Sequence, residues 1–115
     1  MDYNIKYDNS KRVAVVKFEG ALDVNNKNEV IKMIKNELLP KGWKYVLFVV
    51  SNLNYIDSSG LGVLLSARSI LNKKGGDLAL VNKNKKLTKI LNLAGFNKMF
   101  KIYGKIEEGK KKVKL

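Results

Sequence analysis

The sequence predicts an α/β fold: a mixed sheet of four to five strands covered by helices. Two observations carry this. Apolar residues alternate or cluster in short segments of strand length, and they recur every three or four residues in longer ones. After an opening pair of strands the two kinds of segment alternate, in the order β-β-α-β-α-β-α-β. The length of 115 residues fits one domain spanning 1–115.

Each element has a local reason. Tyr3, Ile5 and Tyr7 alternate with polar residues, and Asp8-Asn9-Ser10-Lys11 carries turn chemistry. The β-branched run from Val13 to Phe18 comes next, so the first two strands are expected to form a hairpin. From about Asn25, Val30, Ile31, Ile34 and Leu38 recur at helical spacing until Pro40 and Gly42 end the helix. Tyr45 to Val50 is a continuous apolar run, as in a strand buried on both faces. Ser51–Asn54 reads as a loop before Tyr55-Ile56. A second helix runs from Asp57-Ser58-Ser59-Gly60 to about Asn72 and closes at Gly75-Gly76. Leu78 to Val81 is a short strand, and Asn84 can cap a third helix ending at Gly95. Phe100, Ile102 and Tyr103 suit a last short strand. Ile106, Gly109 and Val113 share one helical face, in a final helix that Gly109 weakens by about 1 kcal/mol relative to alanine.

Composition excludes several functions. The chain has no cysteine and no histidine, so thiolate zinc sites, disulfides and the commonest general base are absent. Neither a metal nor another cofactor is expected, and an enzyme would have only ten carboxylates, lysines, tyrosines and hydroxyls to work with. No Gly-rich phosphate loop is present. No apolar run approaches the ~20 residues that span a membrane, and the N-terminus lacks the pattern of a secretory signal. A cytoplasmic, non-enzymatic protein is expected. The net charge of +13 invites a nucleic-acid reading. Its cations, however, are nearly all lysines scattered through every segment, with only Arg12 and Arg68 as arginines. Arginine is the better reader of bases, so a solvated basic surface is favoured and no specific nucleic acid is expected.

The second helix carries the functional signal. Gly60, Val63, Leu64, Ala67, Ile70 and Leu71 fall on one face, whereas Leu61 and Leu65 fall off it beside Arg68. Those two leucines either pack under a neighbouring element or form an apolar docking surface. Asp57, Ser58 and Ser59 are all N-cap types, and one cap needs only one of them. A hydroxyl here lies near free N–H groups and the positive end of the helix dipole, a place that tolerates phosphate.

Ile56-Asp57-Ser58-Ser59-Gly60-Leu61-Gly62-Val63-Leu64-Leu65 resembles the signature of STAS domains, specifically the single-domain anti-sigma factor antagonists of bacteria. Gly20-Ala21-Leu22-Asp23, Lys74-Gly75-Gly76-Asp77-Leu78 and Leu91-Asn92-Leu93-Ala94-Gly95-Phe96 resemble further family segments in the expected order. The resemblance implies a mixed sheet with helices packed to one side. It implies binding to an anti-sigma factor that is also a serine kinase, release of a sigma factor, and reversal by a protein phosphatase. It makes Ser58 the phosphoacceptor. It assigns Asp57, Ser59, Gly60, Leu61 and Gly62 to the contact surface and sets Asp23 nearby; Leu65 joins the partner-binding candidates from its place off the buried helix face. Close packing is an equal reading for Gly60 and Gly62, and dipole stabilisation for Asp23. Within the same fold, a constitutive subunit of a transporter or stress complex is the alternative. The family usually has Asp or Asn near the phosphosite where this chain has Val49.

Overall fold

The computed structural model describes all residues, Met1–Leu115. β1 (Asp2–Asp8) and β2 (Val13–Leu22) form the expected antiparallel hairpin. Its turn brings Arg12 to φ 56° and lays the guanidinium 4.0 Å over the Trp43 ring. β3 (Tyr45–Ile56), β4 (Asp77–Val81) and β5 (Ile102–Tyr103) then add in parallel, giving the order β1-β2-β3-β4-β5.

Strand alternation explains the long apolar runs. Ala14, Val16, Phe18, Val46, Phe48, Val50, Leu78 and Leu80 face the main core. Their neighbours Val13, Val15, Leu47, Val49, Ala79 and Val81 face a smaller core on the other side. Both faces of the central strands are therefore buried.

The main face is covered by α1 (Lys27–Lys32), α2 (Ser58–Lys73), α3 (Lys85–Leu93) and the short α4 (Phe96–Met99). α1 is entered through a 3-10 turn at Val24–Asn26 and continues as a π-helical stretch, Met33–Leu38, into a 3-10 turn, Leu39–Lys41. The buried stripe is Val30, Met33, Ile34 and Leu38, at the i, i+3, i+4, i+8 spacing of one helical face. Met33 enters the core, whereas Ile31 is only half-buried. Asn84 caps α3 as expected, its Oδ1 accepting from the Lys86 and Leu87 amides at 3.0 and 3.3 Å.

α5 (Ile106–Lys112) lies on the opposite face, so the helix layer on one side is joined by one short helix on the other. Gly109 does not fray it. Gly109 is buried, and a Cβ there would sit 3.0 Å from both Leu47 methyls and 3.4 Å from Val81. Its cost to helix propensity is offset by close approach to the sheet.

One further expectation needs correction. Ser51–Asn54 is strand, not loop, because β2 runs beside it to Leu22 with register shifts at Lys17/Glu19 and Gly20/Ala21. Val49 lies under α5, seven residues before the end of β3, which is roughly 23 Å of strand. It belongs to the smaller core, where its apolar side chain packs.

Candidate functional site

β2 and β3 are parallel neighbours, so their C-terminal ends lie side by side, with Ala21 opposite Tyr55 and Leu22 opposite Ile56. The next residues along each strand, Asp23 and Asp57, therefore meet at one end of the sheet. This is where parallel sheets usually present functional groups.

Each aspartate caps the helical segment on its C-terminal side. Asp23 Oδ1 accepts from the Asn25 amide at 2.9 Å, and the Asp23 amide donates to Asn26 Oδ1 at 3.0 Å. Asp57 Oδ1 accepts from the Gly60 amide at 2.9 Å. The second Asp57 oxygen, Oδ2, accepts from the Tyr55 hydroxyl at 3.3 Å. Neither carboxylate joins an ion pair, so the spot is locally acidic on a strongly basic chain. Tyr55 shows this field. Its hydroxyl pKa is raised, first by the charge of Asp57, then by the hydrogen bond to it, then by desolvation and by Asp23. Tyr55 was not among the expected site residues. Its signal was its place two residues before Asp57, which in a strand puts both on one face.

With Asp57 as cap, the other two N-cap types are free of that duty. Ser58 and Ser59 are exposed, and neither hydroxyl hydrogen-bonds within the chain. They occupy the first turn of a sixteen-residue helix, whose leading N–H groups lack intrahelical partners.

The two glycines of the motif differ. Gly60 is buried, and a Cβ there would lie 2.1 Å from the Leu22 carbonyl oxygen and 2.8 Å from Ile56 Cγ1. It lets α2 close onto the end of β2, so it packs inward and offers little contact surface. Gly62 has nothing within 4 Å of its would-be Cβ. Leu61 is half-buried against the main core, whereas Leu65 is 40% exposed. Ser58, Gly62 and Leu65, spaced by four and three residues, form an outward stripe on α2. Arg68 is engaged elsewhere: its Nε donates to Asp77 Oδ1 at 3.0 Å and its Nη1 to the Met99 carbonyl. No three carboxylates come together as a metal site.

The arrangement is thus an acidic, helix-starting corner with two free hydroxyls and a bare helical stripe. Comparison with known proteins gives it a family, since the STAS domain model matches residues 4–109. The chain belongs to the STAS domain family. The anti-sigma F factor antagonist of Paenibacillus polymyxa is 28% identical to this STAS domain over 103 residues, covering 90% of this chain and 88% of that protein. A provisionally named anti-sigma factor antagonist of Thermotoga maritima is 32% identical over 93 residues, or 81% and 82% of the two chains. Among solved structures, a provisionally named anti-sigma factor antagonist from Thermotoga maritima aligns with a TM-score of 0.84 at 28% identity, over 98% of this chain and 95% of that one. No helix of this STAS domain is long and apolar enough to cross a membrane.

Proposed function

We propose that this STAS domain acts as an anti-sigma factor antagonist switched by phosphorylation of Ser58. It binds an anti-sigma factor that is also a serine kinase, and so frees a sigma factor. Transfer of phosphate to the Ser58 hydroxyl ends the interaction, and a protein phosphatase restores it. The domain itself is a cytoplasmic binding module without catalysis. The observation that carries this reading is the division of labour at the start of α2: Asp57 holds the cap, and the exposed Ser58 hydroxyl is free to react.

The physics favours a switch without refolding. A phosphoserine brings about 1.5–2 negative charges. In the first turn of α2 it meets the positive end of the helix dipole, so the fold tolerates it. Beside Asp57 and Asp23 it deepens an acidic spot that a docking partner would have to desolvate. Ser59, Leu61, Gly62 and Leu65 supply the contact surface around it. Gly62 is consistent with this role, since no packing within the chain requires a glycine there.

The test is tandem mass spectrometry after incubation with ATP and native cell lysate, beside a Ser58→Ala control. Phosphate on Ser58 that is absent from the control is expected. An unmodified Ser58 in a lysate that phosphorylates other proteins would reject the switch and favour a constitutive binding subunit.

A further inference from the structure

The sheet is not closed along its whole length. β4 accompanies β3 only as far as the pair Val49–Val81, whereas β2 accompanies β3 to Ile56. Asn84 bridges the first step beyond, its Nδ2 donating to the Ser51 carbonyl at 3.3 Å. From Asn52 to Ile56 no strand covers the β4-side edge of β3. That is roughly 16 Å of free edge. Such an edge offers backbone donors and acceptors to any extended chain laid beside it.

The edge is also the floor of a groove of about 400 Å³ walled by α3. Leu87 and Ile90 stand one turn apart on that wall, and Tyr55 rises from the floor. Ile90 is 39% and Tyr55 52% exposed, so apolar surface is available along the groove. Lys86 is the one charged residue of the lining, and no carboxylate lines it. The groove ends at Tyr55, whose hydroxyl bonds Asp57 next to Ser58.

We propose that this groove binds an extended, acidic and apolar peptide segment of the partner that reads Ser58, adding it as a strand to β3. The partner's identity rests on the function proposed above; the groove chemistry does not. A helical ligand would leave the edge unpaired, because its backbone groups are already spent on itself. A second copy of the chain is disfavoured by charge: it would bring another +13 and a second Lys86 to a groove with no carboxylate. An extended segment satisfies the edge with its backbone. Side chains on the face turned to α3 meet its apolar wall, and a carboxylate among them meets Lys86.

The experiment titrates the ¹⁵N-labelled full chain with a capped heptapeptide, Val-Thr-Val-Thr-Glu-Thr-Val, whose valines and glutamate share one face in a strand. Controls are its counterpart with lysine for the glutamate and a version N-methylated at alternate residues. Expected are amide shifts and slowed hydrogen exchange confined to 52–56 and α3, and binding weakened about tenfold by Lys86→Glu. Loss of binding on N-methylation is also expected. The proposal is overturned by equal binding of the lysine or N-methylated peptide, or by no shift at about 1 mM peptide. Edge protection that grows with protein concentration alone would assign the groove to self-association instead, and would also overturn it. Ser58→Ala is expected to bind the peptide like the unaltered chain, so a failed phosphorylation and a failed groove give separate results.

Discussion

Gly60 and Gly62 stand two residues apart on one helix, yet substitution by alanine should move stability in opposite directions. At Gly60 a new methyl would meet the Leu22 carbonyl oxygen at 2.1 Å, and such a carbon–oxygen pair needs about 3.3 Å, so the first turn of α2 must retreat by roughly 1 Å. The carbonyl cannot yield, because Leu22 is held in the ladder opposite Ile56. Retreat strains the packing of Val63 and Leu64 and loosens the bond from the Gly60 amide to Asp57. Overpacking costs about 1–3 kcal/mol, and a lost cap adds about 1. Gly60→Ala should therefore destabilise by about 2–4 kcal/mol, a large share of the roughly 5–15 available to a domain. Gly62→Ala meets nothing within 4 Å and gains helix propensity, so it should stabilise by about 0.5–1 kcal/mol. Urea unfolding monitored through Trp43, the single tryptophan and 6% exposed, reports both. The m-value should stay constant. A Gly60→Ala protein within about 0.5 kcal/mol of the unaltered one would refute this account of how α2 seats on the sheet.

Other consequences are open to measurement. Asp57→Asn should lower the Tyr55 pKa toward its ordinary value, because Asp57 supplies the largest part of the rise; ultraviolet titration against Tyr55→Phe reads it. Asp8 has a depressed pKa, held down first by the Lys11 amide, then by Lys110 and Ser10. A depressed carboxylate contributes stability above its unfolded pKa of about 3.9 and loses that contribution as pH falls. Unfolding measured from pH 5 downward should thus show a shallower acid-side loss in Asp8→Asn. Gly109→Leu should destabilise by about 2 kcal/mol or more by wedging α5 off Leu47 and Val81, measurable as a lower midpoint in urea.

Much of this architecture was legible because strand alternation and capping are local. The β-branched run of β2 and the apolar run of β3 specified buried strands without reference to distant residues. What escaped was decided by neighbours far along the chain. Helical spacing puts Gly60 on the buried face and Gly62 off it, but the close approach that demands glycine at position 60 comes from Leu22 and Ile56. Gly109 reads as a helix breaker until Leu47 is placed beneath it. Ser51–Asn54 carries loop chemistry, and the continuing β2 makes it strand. At the candidate site, Asp57 and the two serines were marked by being three cap residues where one suffices. The open edge beside Tyr55 was not marked, because the point where β4 leaves β3 cannot be read from β3.

The cap arrangement also bears on abundance. α2 is closed by Asp57 and owes nothing to the Ser58 hydroxyl. Under the proposed switch, modified and unmodified molecules would share nearly the same folding equilibrium, and so nearly the same exposure to proteases. The cell could then change the active fraction without changing the amount of protein. Each molecule could be used, silenced and reused many times within one lifetime.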